Sequence, residues 1–535
     1  MRRSTAIASL LALAAAGGLR GRGSAEEPHV LRYADGLDVS SLNPFLGTTG
    51  NTATLAELTM AHFVRFDPHG VPIPELATEV PTQANRGISA DGKTLTFHLR
   101  RGVRWSDGAP FDSSDVLYSV AVAKDSRNNL FVPDPWTHVA DAAARGKYTV
   151  FFRLKEPFAP FMVWYFSLGS ASCVLPRHVL GPSTVINTAA YNGLPIGVGP
   201  FRFAAYRRGN AVEMEANPYY WRGRPKLRGI VYKLIPNQNT LLTQLRTGEL
   251  DLWESVSGPL ATVAKGLEGK HSTTWLSNFM SAIYFNNSRP PVSDPRVRRA
   301  LRLATDRQEV FNKVMLGNGV MAESLIPVVN PDHLAIPLSK YDPAAAAQML
   351  DDAGWKLGAD GSRTKDGAPL ALDLAIPSGY QPSETFADIL KENWAKIGVR
   401  VSIHVWPTAQ FFTTYANGGT IETGKFDVAL LSQAVPLLYA DLGGAYSCAS
   451  IAPRGANFIR YCDPKVDALN ARYVQTYDRR KGKTIAAQMQ RLVDDDCPMI
   501  EIYERAFLSV YDARVTGYAP NPFSYWGDPL QLDIT

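Results

Sequence analysis

Twice in the second half of the chain an Asp-Pro pair separates strand-like residues from helix-like ones. Asp294-Pro295 follows SAIYFNN and opens RVRRALRLAT; Asp342-Pro343 opens AAAAQMLDDAGW. An Asp at the N-cap accepts a first-turn N–H, and Pro at the first helical position gives up no bond. Asp306 and Glu309 have capping-box spacing for a further helix. Lys365-Asp366-Gly367 reads as a tight turn before the strand LALDLAIP. A helix through Trp394 ends at Gly398, ahead of the strand VRVSIHVW, and FDVALLSQ is another strand. Strands alternating with helices from about residue 280 predict an α/β fold with a parallel-rich sheet.

The first half is punctuated differently. HVLRYAD is a strand, Leu42-Asn43-Pro44 a turn, and residues 54–64 a helix. Leu95, Phe97 and Leu99 alternate with Thr96, His98 and Arg100, as in a half-buried strand. His98 has no partner at metal-ligand spacing and reads as a strand surface residue. Ser106-Asp107-Gly108 turns the chain, and Asp112 caps a helix with Asp115 in its first turn. Phe201–Phe203 and Val212–Ala216 alternate around Arg207–Asn210, a hairpin. GIVYKLIP is a strand, and the helix over NQNTLLTQLRTGELDLW ends near Gly248. At 535 residues the chain exceeds one ordinary core, so two or three domains are expected.

MRRS followed by TAIASLLALAAAGGL, with Gly23-Ser24-Ala25 at the cut, reads as an export signal over residues 1–25. A Sec-type signal is the expectation, with twin-arginine export as the alternative at Arg2-Arg3. No Cys stands near the cut, so no lipid anchor is expected. Removing Arg2, Arg3, Arg20 and Arg22 with that segment takes the formal net charge from +5 to +1. A near-neutral chain offers no electrostatic footprint for nucleic acid. Cys448 and Cys462 bracket a loop and are the better disulfide pair; Cys173 and Cys497 either pair or remain as buried thiols.

Chemistry-bearing motifs are absent. There is no HExxH and no GxSxG. Gly197-Val198-Gly199-Pro200 lacks a third glycine, and Gly482-Lys483-Thr484 lacks the glycine that a phosphate loop needs at Tyr477. Asp494-Asp495-Asp496 reads as a solvated charge run. No metal site or cofactor is expected. Triads assemble from distant segments, so a secreted hydrolase stands as an alternative.

Read together, the segments resemble the family 5 extracellular solute-binding proteins of bacterial ABC importers, the dipeptide-, oligopeptide- and nickel-binding proteins. The motifs run in family order: Leu42-Asn43-Pro44, VGPFRF, EANPYYWRGRPKL, LLTQLRTGELDL, DPRVRRALRLATDR, YDPAAAAQML, FDVAL, YCDPKVDAL and CPMIEIYE. They span essentially the whole chain after residue 25. The resemblance implies a type II, cluster C periplasmic binding protein fold: two lobes on a hinge with an extra domain, three domains in all. Domain I would be 26–61, 196–280 and 500–535, domain II 62–195, and domain III 281–499. It further implies a monomer in the periplasm that captures a peptide or peptide-like solute, delivers it to membrane permease subunits, and catalyses nothing.

The resemblance also implies a cleft lined by Thr48, Thr49, Gly50 and Asn51, by Trp406, by the loop from Ser432 to Tyr439 with Gln433 and Pro436, and by Tyr503, Glu504 and Arg505. Trp406 and Tyr439 would stack on a ligand, and Arg454 and Arg505 would clamp an anion. Peptide binders of the family carry an acid in the loop after FDVAL to hold the ligand ammonium. Here that place is Pro436, within QAVPLLYADL. Either Asp441 or Glu504 takes that role, or the ligand is a non-peptide such as an opine, a sugar conjugate or a metal chelate.

Overall fold

The computed structural model describes residues 29–535 apart from 37, 48, 61, 131–133, 167–172, 257–259, 317 and 380. The expected export signal therefore lies outside the described residues.

One mixed sheet of eleven strands organises the molecule. Its order is Arg400–Trp406, Ala371–Pro377, Val428–Ala434, Lys270–Phe285, Met499–Asp512, Leu252–Trp253, Val30–Asp35, Gly229–Leu234, Ala211–Ala216, Phe201–Arg207. Gly319–Met321 is added against Met499–Asp512. The parallel-rich expectation holds only in two patches. Ala371–Pro377 pairs in parallel with both Arg400–Trp406 and Val428–Ala434, and Val30–Asp35 with both Gly229–Leu234 and Leu252–Trp253. The pairings between and outside those patches are antiparallel.

The long strands explain the mixture. SAIYFNN is only the end of a strand of 16 residues, Lys270–Phe285, which runs antiparallel to the 14-residue Met499–Asp512. Leu508 and Val510 lie in one core with Ala34, Leu241 and Trp253. Ile500 and Ile502 lie in another with Ile283, Leu374 and Val428. Met499–Asp512 thus passes from one core into another, paired along its length with Lys270–Phe285; the parts of the sheet around the first and the second core are the first and second lobes. Between the lobes the register slips: Leu276 faces Ala506, yet Met280 faces Glu504. The extra residues bulge, held by Ser277 Oγ donating to the Arg505 carbonyl at 2.7 Å. A bulge breaks ladder continuity and bends the strand.

A separate antiparallel sheet joins Thr94–His98, Thr149–Leu154 and Val139–Ala144. His98 is exposed on it, as expected. The helix Ser113–Lys124 starts with a full capping box: Asp112 accepts from Ser114 N at 2.8 Å, and Asp115 accepts from Asp112 N at 3.2 Å.

Asp294 and Asp342 each accept a first-turn N–H of the helices Pro295–Leu303 and Pro343–Asp352. The helix expected over 54–64 instead spans Gly50–Thr59, because Val64 enters a short strand with Pro72–Pro74. Gly482 lies inside the helix Arg479–Asp496, which excludes a phosphate loop there. Of the aspartates ending that helix, Asp495 is exposed as a solvated run would be, whereas Asp494 and Asp496 are half-buried. Arg298 Nη2 donates to the Asp496 carbonyl at 2.6 Å, Arg299 Nε to that of Asp495 at 2.7 Å, and Arg302 Nη1 to Asp494 Oδ1 at 2.7 Å. The basic helix Pro295–Leu303 docks on the negative C-terminal end of Arg479–Asp496, as the macrodipole favours.

Cys448 and Cys462 form a disulfide. Cys173 and Cys497 do not pair; both are buried thiols. Burial pushes the Cys173 thiol strongly upward and that of Cys497 to about 11. Thiolate is the reactive form, so Ellman's reagent should find no reactive thiol in the native protein and two in denaturant. One fast-reacting native thiol would contradict this placement.

Candidate functional site

The registers show where a ligand can lie. Val428–Ala434 ends with Ala434 opposite Phe279, and Val435 N donates to the Asn278 carbonyl at 2.8 Å. Its carboxyl end therefore reaches the bulge, and the strands parallel to it run the same way. In the other lobe Trp253 faces Val510, and Val256 N donates to the Leu508 carbonyl at 2.9 Å. Those parallel strands also run with their carboxyl ends toward the bulge. Ligands of open α/β sheets bind outside the carboxyl ends of the strands. Here two such edges converge on one crossing.

The second-lobe edge carries Trp406, the last residue of Arg400–Trp406. Its ring is half-buried against Phe411, Ile421 and their neighbours, and its Nε1 is buried with no hydrogen-bond partner among the described residues. A buried donor without an acceptor is costly, so the ring stands ready for one. Gln433, also on this edge, pairs opposite Met280 at the crossing.

The first-lobe edge carries the N-terminus of the helix Gly50–Thr59, with Thr49 at its cap. Asn51 Nδ2 donates to the Tyr232 hydroxyl at 2.7 Å, which fixes this helix start over the strand Gly229–Leu234. Thr48 lies outside the described residues. Two acids that the sequence reading missed stand here: Asp35, ending Val30–Asp35, and Glu254, just past Leu252–Trp253. Both are buried. A carboxylate immediately after an apolar strand was the available signal.

The crossing itself holds Glu504, wholly buried, whose carboxylate accepts from Val328 N at 2.9 Å and 3.1 Å. Burial pushes this group up to about 7, against that bond.

Residues 71–438 match the family model described as bacterial extracellular solute-binding proteins, family 5 middle. The chain belongs to that family. Among relatives of this family 5 protein, Protein XP55 of Streptomyces lividans is 32% identical over 331 residues, 62% of this chain and 58% of that protein. The match therefore spans less than two thirds of that relative. The probable di/tripeptide-binding protein 5 of Pseudomonas aeruginosa is 28% identical over 521 residues, 91% of this chain and 92% of that one. The oligopeptide-binding protein AppA of Bacillus subtilis, solved with a nonapeptide, has the same fold. Its TM-score is 0.79 at 22% identity, covering 95% of this chain and 100% of that one.

The remaining expected residues of the family 5 chain fall elsewhere. Tyr503 is buried and belongs to the second-lobe core cluster. Asp441 is engaged locally: its Oδ1 accepts from Gly443 N and from Asn470 Nδ2, each at 3.0 Å. Arg454 is exposed beside the disulfide, with Nη2 3.4 Å from the Cys448 carbonyl. Arg505 is half-buried at the crossing, paired with Gly319. Pro436 accepts from Asn330 Nδ2 through its carbonyl at 2.9 Å. The apolar character of its loop has a packing cause: Leu438 joins the core that holds Phe66 and Phe523. Tyr439 lies under the Arg479 guanidinium, 4.3 Å from the ring centre, and both border a cavity of about 330 Å³ shared with Phe66, Met162 and Tyr477.

Proposed function

We propose that this chain is the capture component of an ABC importer, closing two lobes over a peptide or peptide-like solute and handing it to permease subunits. The observation that carries the reading is the pair of long strands shared by both lobes, bulged where two sets of strand ends meet. That construction suits hinge closure. The relative named a di/tripeptide-binding protein and the neighbour solved with a nonapeptide support a peptide ligand. In this reading residues 1–25 are an export signal without a lipid anchor, the protein works in the periplasm as a monomer, and it catalyses no reaction. Domain I comprises 26–61, 196–280 and 500–535, domain II 62–195 and domain III 281–499. Thr49, Gly50, Asn51, Trp406 and Gln433 line the cleft.

Small-angle scattering with and without a di- and tripeptide mixture tests the reading. Closure should reduce the radius of gyration while the peptides are recovered intact by mass. Cleaved peptides would indicate a hydrolase, and an unchanged radius would remove the hinge.

Trp406→Ala should weaken ligand binding about tenfold, roughly 1.4 kcal/mol, while Trp406→Phe keeps most of the affinity, because a ring at this edge supplies stacking area. Titration calorimetry reads both. Equal affinity in Trp406→Ala would take the ring out of the site.

A further inference from the structure

Away from the bulged strands the two lobes meet a second time. The core that holds Leu31, Tyr33 and Tyr232 of the first-lobe strands also holds Phe97, Phe158 and Phe161. The core that holds Ala282 and Leu431 of the second-lobe strands also holds Leu442, Tyr473 and Ile485. Residues 475–478 join the helices Pro464–Val474 and Arg479–Asp496 of the second lobe, and there Tyr477 packs against the first-lobe core.

The Tyr477 hydroxyl donates to the Gly92 carbonyl at 2.8 Å and accepts from Phe158 N at 3.2 Å, and its ring centre lies 6.3 Å from that of Phe161. Beside it Ala159 N donates to the Val474 carbonyl at 2.6 Å, and Gln475 Nε2 to Glu156 Oε2 at 3.1 Å. The first lobe is shaped to receive these groups. Gly92, at φ 71°, leaves open the place where a Cβ would stand 2.7 Å from the Tyr477 ring. Gly70, at φ 76°, leaves the same room for the end of the Leu438 side chain. Glycine adopts both conformations without the strain that a side chain would add. Each of these first-lobe turns thus accepts one side chain from the other lobe.

The seam is not packed as a core is. A cavity of about 330 Å³ lies along it, lined by Phe66 and Met162 from the first lobe and by Leu438, Tyr439 and Arg479 from the second. Protein interiors keep few voids larger than a water molecule, so the seam is a contact between two bodies and not one continuous core. The second-lobe side is braced: Arg479 Nη2 donates to Asp332 Oδ2 at 2.9 Å and to the Leu438 carbonyl at 3.1 Å, and Ala440 N donates to the Tyr473 hydroxyl at 2.8 Å.

We propose that Tyr477, with Leu438 beside it, is a latch that holds the two lobes together over the cleft. It is a positioning group: its hydroxyl and ring meet first-lobe protein atoms, and it retains the solute through the closed state. The inference rests on the solute-capture reading and adds to it a site at which closure is stabilised apart from the strand ends. The latch contacts exist only with the lobes together. Their loss therefore disfavours the closed state and leaves encounter with the open one unchanged.

Stopped-flow fluorescence with trialanine tests this. Tyr477→Ala should raise the dissociation rate at least tenfold and keep the association rate within twofold. Tyr477→Phe, which keeps the ring and loses both hydrogen bonds, should fall between, and Leu438→Ala serves if Tyr477→Ala does not fold. An unchanged dissociation rate, or a loss confined to association, overturns the latch and leaves peptide capture intact. Failure of trialanine to bind the unaltered protein counts against peptide capture, and small-angle scattering then decides the latch. A larger radius of gyration for Tyr477→Ala than for the unaltered protein, at an unchanged circular-dichroism spectrum, upholds it; equal radii overturn it.

Discussion

Replacing Arg298 with alanine should destabilise this protein by about 3 kcal/mol or more, the largest stability loss expected of a single truncation here. The side chain is buried, and its guanidinium satisfies four carbonyls. Nε donates to Cys497 at 2.8 Å, Nη1 to Val292 at 2.9 Å and Ser293 at 3.1 Å, and Nη2 to Asp496 at 2.6 Å. Two of those carbonyls end the helix Arg479–Asp496, whose cap Cys497 sits at φ 49°. Truncation strands buried acceptors and removes a cation from the negative end of an 18-residue helix. Lysine restores the charge but not the fork, so Arg298→Lys should fall between. Arg296→Ala, which removes an exposed pair with Asp294, should shift the urea midpoint little. Similar midpoints for Arg298→Ala and Arg296→Ala would contradict this account of how the two helices are joined.

The second large effect is on pH. Burial raises Glu57 and Glu504 from about 4.5 to about 7. A carboxyl whose folded pKa exceeds its unfolded one binds more protons in the native state. The stability it contributes is fully present below about pH 4.5 and is lost as pH rises through about 7. Asp512 acts in the opposite sense. Burial opposes ionisation, but hydrogen bonds from Arg514 and Lys270 pull it down to about 2, so its contribution is lost as pH falls from about 3.8 toward 2. The thermal midpoint should therefore peak near pH 4 and decline toward pH 8. Glu504→Gln should flatten the upper limb, since an amide accepts from Val328 N without ionising. A midpoint that rises steadily from pH 5 to 8 would show that these acids ionise freely. Because Glu504 lies at the crossing, the same titration reports on the hinge.

Much of the scaffold was legible because short-range chemistry decides it. Asp112, Asp294 and Asp342 announce helix starts through capping, and the hairpin around Arg207–Asn210 through alternation and a turn. What escaped depends on partners far along the chain. KHSTTW carries no apolar alternation, so the first half of the long strand Lys270–Phe285 is set by its pairing with Met499–Asp512, some 230 residues away. Asp494 and Asp496 read as solvated because the arginines that meet this helix end sit nearly 200 residues earlier. Of the expected cleft residues, Trp406 and Gln433 stand on the edge of one lobe and Asn51 at a helix start on that of the other, while Tyr503 packs in a core cluster and Asp441 holds a local turn. Glu254 and Asp35 were missed because an acid after a strand is ordinary until the fold buries it at a strand end.

Native mass spectrometry of the mature protein, followed by release and identification of any retained small molecule, tests most directly the claim that this chain captures a peptide-like solute. A bound mass resolving into short peptides is the predicted result. A single non-peptide mass would contradict the ligand class.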